Sequence, residues 1–453
     1  MFKSKITKNI YISIITLLVV LLIFIIGDAL TSSKVSILTE KPKTDISVFT
    51  SVNDYTAKYK LLNEVSEEYM TEHPDVSIKY SSLSTENFNT RILTDFSNGC
   101  QADIIITYPT RTMENLFNNG LLADLTAEFQ NDESWYDLFD KSALQFCVSN
   151  EKIFAVPMET EFVGLYANKK LLAENGLNIP KTYDDLKNCI TVLRRNGITP
   201  FSFGLKDENL FLYQALTVAF EKNFEIEQAL AEQRFTPAYV SALKTLKELY
   251  DLGAFPSNCS VMTRSDAQNL FMEGSAAFIV ESSSFSGDIE NSIKLSDVAD
   301  TYTVLPFPSP HDYYSVSAKS EKNFSPIIYG VGDMTVFLSS DAYNRNHDVV
   351  MDYIKYLTGA KVNSKFVNRV KFLSALNTSS ELPTYGPLIT QCNLLIFNST
   401  EFAPVPSNIT DRFVWGHTIA KGMSDILNGS ISAEDLISNT ENLSRLCTKN
   451  GGE

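Results

Sequence analysis

Between residues 45 and 80, short apolar stretches alternate with a longer amphipathic one. Residues 45–49 (DISVF) predict a strand. The next apolar side chains recur at helical spacing: Leu61, Leu62, Val65 and Tyr69. His73-Pro74 ends that helix, and residues 76–80 alternate as a second strand. This strand, helix, strand order is typical of an α/β fold.

Polar residues follow two of the predicted strands at their carboxyl ends. Residues 102–107 (ADIIIT) are the short apolar run of a buried parallel strand. Tyr108 comes directly after this strand, and Asn53 and Asp54 come after the first one. In open α/β sheets, ligands bind beyond the carboxyl ends of the strands. Both groups are therefore placed where a solute can be held.

A second group of elements begins near residue 153. A strand reaches Pro157, the polar residues 158–161 (METE) follow, and residues 162–167 predict another strand. A short helix then ends at a glycine, and a further helix starts with Thr182 as N-cap. Asp185, three residues on, completes a carboxylate version of the capping box.

The start of the chain has the pattern of an export segment. Residues 10–26 form 17 consecutive positions without a charge, and three lysines precede them. Because lysines stay on the cytoplasmic side, everything after this run should lie outside the cell. The expected segments are a cytoplasmic basic region (1–9), a signal anchor or cleaved signal peptide (10–27) and a linker (28–44). The exported part is then either anchored in the cell membrane or secreted.

Composition and charge exclude some classes of protein. The length of 453 residues predicts two or three domains, and the formal net charge of −16 repels phosphate backbones. We therefore expect no nucleic-acid partner, and we expect a monomer.

Cysteine and histidine spacing gives no sign of a metal or cofactor. The six cysteines lack a CxxC pair, and the four histidines form no HxH or HExxH motif. We expect unpaired core thiols, with two or three disulfides as the alternative. The first cysteine is Cys100, so no cysteine follows the apolar run to carry a lipid.

Five landmarks in order carry a resemblance that covers about residues 45–440. They are residues 102–105 (ADII) with 119–125 (NGLLADL); 156–157 (VP), 165–169 (LYANK) and 176–183 (GLNIPKTY); 271–278 (FMEGSAAF); 302–308 (YTVLPFP); and 426–429 (ILNG) with 433–435 (AED). Each landmark alone is weak. Together they resemble the solute-binding components of bacterial ABC importers, the extracellular family 1 that includes the maltose- and other sugar-binding proteins.

The resemblance implies an α/β, two-lobed periplasmic-binding-protein-like (type II) fold with a hinge and a ligand cleft between the lobes. Lobe one is expected at residues 45–152 and 304–358, and lobe two at residues 153–303 and 359–450. It also implies that the lobes close on a small solute, most plausibly a mono- or oligosaccharide, which is delivered to the permease subunits of an ABC transporter.

The resemblance assigns binding roles on both sides of the cleft. Asn53 and Asp54 lie where such proteins place polar groups against sugar hydroxyls, although they can instead cap the next helix. Tyr108 is in a loop that supplies an aromatic platform, and Arg111 is either its charged partner or a surface ion pair. Glu161 occupies the position of a hydroxyl-binding carboxylate, and Glu159 lies closer to the hinge.

Three further candidates come from the second half of the chain. Glu281 and Ser284 follow a strand where relatives carry an Asn-Gly pair and a Trp, so the usual stacking platform is absent or displaced there. Trp415 is expected either to stack on a pyranose or to fill a core. Asp333 ends a Gly-Val-Gly-Asp stretch whose glycines allow close approach of a ligand or simply form a turn.

Two other functions share parts of this pattern. A solute-sensing extracellular domain that reports to a membrane receptor has the same sequence features. An exported glycosidase would need two carboxylates across a bond, as Glu159 and Glu161 suggest. We expect these two to point to opposite faces of their strand and so not to address one substrate together. No nucleophile elbow or phosphate-binding loop is present, so an enzyme is disfavoured.

Overall fold

The computed structural model of the protein describes residues 16–22, 43–83, 85–206, 209–221, 235–310, 327–377, 385–399, 402–404 and 418–450. Residues 16–22 form a short exposed helix, and the rest of the predicted segment 10–27 lies outside the described residues. Within the described ranges, no helix is both long enough and apolar enough to cross a bilayer.

The strands are short except for one. They are β1 Thr44–Thr50, β2 Val76–Ser82, β3 Ile104–Thr107, β4 Val148–Ser149, β5 Lys152–Ile153, β6 Val156–Pro157, β7 Glu159–Asn168, β8 Thr199–Phe201, β9 Ala276–Ser282, β10 Tyr302–Leu305, β11 Ile327–Val331, β12 Thr335–Leu338, β13 Leu373–Ser374 and β14 Phe402–Pro404.

Helices connect most of these strands. They are α1 Ala57–Glu72, α2 Thr85–Ser97, α3 Arg111–Asn118, α4 Thr126–Asn131, α5 Glu133–Tyr136, α6 Lys141–Leu144, α7 Lys169–Glu174, α8 Tyr183–Arg195, α9 Phe211–Phe220, α10 Pro237–Asp251, α11 Arg264–Met272, α12 Ser284–Ser292, α13 Leu295–Thr301, α14 Ser340–Thr358, α15 Ala360–Val370, α16 Pro387–Phe397, α17 Ala420–Asn428 and α18 Ala433–Asn450.

The first sheet has the strand order β2-β1-β3-β12-β6. β1 runs parallel to β2 and β3, whereas β12 runs antiparallel to β3 and β6. All four residues of β3 are buried, as a strand covered on both faces requires. The strands expected at residues 45–49, 76–80 and 102–107 are confirmed, and so is the buried face of the helix between the first two. We call this sheet and its helices the first lobe.

The second sheet is built around β7. Its order is β14-β11-β7-β9-β8, and β10 and β13 also pair with β7. All ten residues of β7 are buried. The strand starts at Glu159, three residues earlier than expected, because its first residues pair with β11 and β13. We call this sheet and its helices the second lobe. The α/β class expected from the sequence is confirmed.

The chain passes between the two lobes at three places, and each lies later in the chain than the boundaries expected after residues 152, 303 and 358. The first is at residues 157–159, between β6 and β7. The second lies between β11 and β12, because residues 327–331 still pair with β7 in the second sheet. The third follows α15, whose Val362 and Phe366 pack in the core of the first lobe. The return to lobe one is thus later than residue 304, and the departure is later than residue 358.

The described thiols are unpaired. Cys147, Cys189, Cys259 and Cys392 are buried, and Cys100 is exposed. The sixth, Cys447, has a side chain outside the described residues.

The capping box expected at the start of α8 is confirmed. The Thr182 hydroxyl accepts from the Asp185 amide at 3.1 Å, and the Asp185 carboxylate accepts from the Thr182 amide at 3.0 Å. These bonds satisfy amide groups that a helix start leaves unpaired.

Replacing this cap should weaken the second lobe measurably. We expect Thr182→Ala to cost about 1 kcal/mol, which lowers the unfolding midpoint of a lobe of this size by roughly 2 to 4 °C. Thr191→Ala is the matched control, since the Thr191 hydroxyl bonds only the Lys187 carbonyl of the same helix. Alanine favours helix, so the control should not lose stability. Equal losses in differential scanning calorimetry would contradict the capping role.

Candidate functional site

A cluster of charged and polar side chains lies where the chain passes between the two lobes. We call it the crossing cluster, and it comprises Lys58, Tyr108, Glu159, Glu161, Arg264, Glu281 and Asp333. The first lobe contributes the start of α1 and the residue after β3. The second lobe contributes the start of β7, the start of α11 and the end of β9. Asp333 belongs to the connection between β11 and β12.

Lys58 joins the two crossing segments. Its Nζ donates to both Glu159 oxygens, at 2.9 and 2.7 Å, and to Asp333 Oδ1 at 2.7 Å. Burial opposes the charge of Lys58, but Asp333 and Glu159 outweigh it and raise the lysine pKa. Burial raises the pKa of Glu159 to about 8, and the Asp333 charge adds to that rise against the effect of Lys58. Burial opposes the charge of Asp333, but the charge of Lys58 and the hydrogen bonds to Asp333 outweigh it and lower the pKa of Asp333. Lys58 therefore binds two carboxyl groups whose pKa values are shifted in opposite directions.

Glu161 follows Glu159 by two residues on β7, and only 7% of its surface is exposed. Burial, followed by the Asp333 charge, raises the pKa of Glu161 to about 7, while Arg264, Lys58 and the Ser282 side chain oppose the rise. Among the residues that the structure describes, no basic side chain forms an ion pair with Glu161. Its carboxyl group is thus buried in polar surroundings without a cation bound to it.

Arg264 forms a two-pronged pair with Glu281. Its Nε lies 2.9 Å from Oε1, and its Nη2 lies 2.6 Å from Oε2, of a carboxylate whose residue is 0% exposed. The guanidinium also sits 4.8 Å from the centre of the Phe211 ring. Such a fork-to-fork pair compensates a buried carboxylate well. Glu281 is therefore already occupied by a protein partner.

Tyr108 brings an aromatic side chain from the first lobe to the same place. Burial raises the pKa of its hydroxyl, and Glu161, Asp333 and Glu159 add to that rise. The hydroxyl thus lies among the carboxylates of the second lobe and the crossing segments. Tyr108 as a whole residue is half-buried.

The other predicted residues lie apart from these contacts. The Asn53 amide donates to the Tyr55 hydroxyl at 3.2 Å, and Asp54 is exposed. Neither caps α1, since Thr56 does so. Arg111 and Glu114 form the surface ion pair that was the alternative, at 3.6 Å.

Two further candidates have different outcomes. The Ser284 hydroxyl lies 2.7 Å from the Ser282 hydroxyl, which places it beside the end of β9. Trp415 lies outside the described residues, and its stacking role stays a prediction.

The expectation that Glu159 and Glu161 face opposite ways is wrong. Residues two apart on a strand share a face, since side chains alternate with a period of two. Lys58 and Asp333 accordingly affect the pKa of both carboxyl groups. The carboxyl groups of Glu159 and Glu161 therefore belong to one site. Of these two, only Glu159 is bound directly by Lys58.

Sequence reasoning missed the two cations of the cluster. Lys58 and Arg264 both lie in the first turn of a helix, after Thr56 and Thr263. A positive charge there interacts unfavourably with the helix dipole, which indicates that another interaction stabilises it. That signal is weak, because Arg111 and Lys169 occupy similar positions.

Comparison with known proteins matches this chain to one family. The model of the family described as bacterial extracellular solute-binding protein matches residues 53–364, more than half of the 453-residue chain. The chain is 24% identical over 166 residues to the multiple sugar-binding protein of Streptococcus mutans, covering 36% of this chain and 37% of that protein. It is also 24% identical over 143 residues to a xylose/arabinose-binding protein of Haloferax volcanii, covering 30% and 31%. The chain thus spans about a third of the length of these curated relatives.

Solved structures share the fold over nearly the whole chain. A chitin oligosaccharide binding protein has a TM-score of 0.75 at 20% identity, covering 89% of this chain and 98% of that one. A sugar transporter protein from Bacillus licheniformis in complex with stachyose has a TM-score of 0.70 at 17% identity, covering 89% and 100%. A binding protein from Bacillus subtilis in an open conformation has a TM-score of 0.74 at 12% identity, covering 91% and 99%.

Removing the cation at the crossing should destabilise the protein strongly. Lys58→Met leaves buried carboxyl groups without compensation, at a cost of about 3 to 5 kcal/mol, so the unfolding midpoint should fall by roughly 6 °C or more. Lys60→Met is the matched control, since Lys60 is exposed on the same helix.

The loss should depend on pH in a defined direction. A carboxyl group whose folded pKa is raised, as that of Glu159 is to about 8 from 4.5, destabilises the fold as pH rises between those values. Loss of Lys58 enlarges that effect. The midpoint deficit of Lys58→Met should therefore be larger at pH 8 than at pH 5. A deficit independent of pH would argue against uncompensated carboxylates as its cause.

Proposed function

Because this chain belongs to the family of bacterial extracellular solute-binding proteins, we propose that it captures a small carbohydrate between its two lobes and delivers it to the permease of an ABC importer. The observation that carries the proposal is that Glu161 and Tyr108 come from opposite lobes to one cluster. Glu161 is a buried carboxyl group with no ion pair among the described residues, and its charge influences the hydroxyl of Tyr108. A sugar needs both, since hydroxyls donate to carboxylates and ring C–H faces pack on aromatic rings.

The names of the relatives support a sugar as the solute. The two curated relatives are a multiple sugar-binding and a xylose/arabinose-binding protein. The position of the cluster supports capture between the lobes, because its side chains come from α1, β7, α11 and the β11–β12 connection. A ligand held there touches both lobes at once and favours their closed arrangement.

We also propose that the protein is exported and is not an enzyme. The extracellular family supports export, and residues 10–27 are the proposed signal anchor or signal peptide. Glu159 and Glu161 share a face, but Lys58 holds Glu159 in a network with Asp333. That network compensates its charge and leaves Glu161 as the carboxyl group with capacity for a sugar. The protein then acts as a monomer that binds its solute and releases it unaltered.

A sugar panel with one variant tests the binding site. Thermal-shift screening identifies the tightest sugar, and calorimetric titration gives its affinity for the parent and for Glu161→Gln. A hydrogen bond to a charged group is worth about 1.5 to 3 kcal/mol, so we expect Glu161→Gln to bind roughly tenfold to a hundredfold more weakly. The variant should not unfold at a lower temperature, since the amide removes a carboxyl group whose burial raises its pKa.

Two controls accompany this titration. Glu174→Gln changes an exposed carboxylate on α7 and should bind like the parent. Chromatography of the sugar after prolonged incubation should show it unchanged. Parent-like binding by a folded Glu161→Gln protein would remove the basis of the proposed site, and reproducible cleavage of the sugar would restore the enzyme hypothesis.

Lobe closure has its own observable. A solute that contacts both lobes should shift the protein to a more compact arrangement, so small-angle scattering should give a smaller radius of gyration at saturation with the tightest sugar. A sugar from the panel that causes no thermal shift serves as the control. An unchanged scattering profile at saturation would count against closure.

A further inference from the structure

The crossing cluster contains more carboxyl groups than cations. Arg264 is engaged by Glu281 through two hydrogen bonds. Lys58 is engaged by Glu159 and Asp333. Within the described residues, this leaves Glu161 as the buried carboxyl group of the cluster that no protein cation pairs with. A buried carboxylate that no cation compensates is unfavourable, so a ligand that brings a positive charge is favoured there.

We propose that the solute carries a protonated amine that pairs with Glu161, so that the protein selects amino sugars over their neutral counterparts and rejects acidic sugars. This inference rests on the proposed function, because it takes the solute to be a sugar held at Glu161. The inference goes further by specifying that the sugar is positively charged, whereas the proposed function does not specify its charge.

The charge balance favours an ammonium group over a hydroxyl at this position. A hydroxyl gives the carboxylate one hydrogen bond and no charge, whereas an ammonium group offers three donors and a full positive charge. Both donors form a charge-assisted hydrogen bond with a carboxylate, but only the ammonium group also adds the attraction of opposite charges. The Ser282 side chain already supplies a neutral donor to Glu161. Among the described residues, the protein supplies no positive charge that forms an ion pair with this carboxyl group.

The same charges act against an acidic sugar. A carboxylate or phosphate on the solute would lie next to Glu161 and near Asp333, with both nearby cations already engaged by carboxylates. Like charges that meet in a buried site strongly disfavour binding. The net charge of −16 on the whole chain also repels anions before they arrive and attracts cations.

The pH dependence of binding separates an amine from a hydroxyl. The groups that face Glu161 are Lys58 on α1, Tyr108 after β3, Arg264 on α11, Ser282 on β9 and Asp333 in the β11–β12 connection, together with Glu159 on the same face of β7. Below a pH of about 7, Glu161 takes up a proton and loses the charge that holds an ammonium group. Above the pKa of an amine, about 7.7 to 8 for an α-amino group, the solute loses its charge. Amine binding should therefore pass through a maximum near neutral pH, whereas binding of a neutral sugar has no loss on the alkaline side from this cause.

Calorimetric titration with matched sugars tests the proposal. The neutral probes are glucose, galactose, maltose and cellobiose. The amine probes are the amino-deoxy derivatives of these sugars, substituted at each ring position in turn, and the acidic probes are glucuronate and galacturonate. At neutral pH and about 0.15 M salt, we expect at least one amine probe to bind about tenfold or more tightly than its neutral parent, and no detectable binding of the acids.

The Glu161→Gln variant assigns the preference to one side chain. We expect the variant to bind the amine probe and its neutral parent with similar affinity, while Glu174→Gln keeps the preference of the parent protein. Because the pair is buried, the preference should persist in high salt, which screens surface charges.

Two results would overturn the inference, and they differ from failure of the proposed function. If neutral sugars bind and no amine probe binds more tightly, the amine is wrong and the sugar-binding function stands. If the preference survives Glu161→Gln, the amine is read by another group. If no sugar of any class binds, the proposed function fails and the inference fails with it.

Discussion

The structure depends on the burial of opposite charges at the point where its two lobes meet. β7 is buried along its full length, yet it begins with Glu159 and Glu161, whose charges are costly in such a place. Lys58 reaches from the first lobe to Glu159 and to Asp333, on the two crossing segments β6–β7 and β11–β12. One ammonium group therefore links the lobes at the crossings themselves.

The same constraint explains which groups are available to a ligand. Carboxylates that meet a fixed cation, such as Glu281 with Arg264, are satisfied by the protein. Glu161 shares the face of Glu159 but has no such cation, and its pKa is raised to about 7 by burial and by the Asp333 charge. In the proposed function, the solute supplies a further donor to Glu161. In this view, the carboxyl group without an ion pair determines ligand specificity, and the ion pairs of the cluster stabilise the protein.

Local patterns of the sequence predicted the elements of the fold better than its long-range contacts. The apolar run of β3, the helical spacing of α1 and the capping box at Thr182 depend on nearby residues, and each is confirmed. The lobe boundaries after β10 depend on which strand β11 pairs with, and no local pattern specifies that choice. Lys58 and Arg264 escaped notice for the same reason, since their partners lie 101 or 275 residues and 17 residues away along the chain. Tyr108 was singled out because it follows a strand at the expected edge, and Glu161 because of the family resemblance; the binding role of both stays a prediction.

The central claim is that a sugar bound between the lobes contacts Glu161 and Tyr108 together. A crystal structure of the protein with the tightest sugar of the panel tests it directly. The account predicts a sugar hydroxyl or amine within hydrogen-bond distance of the Glu161 carboxylate, with the Tyr108 side chain against the same sugar. It also predicts that Lys58 keeps its bonds to Glu159 and Asp333. A sugar bound elsewhere, with Glu161 facing only protein or water, would contradict the account.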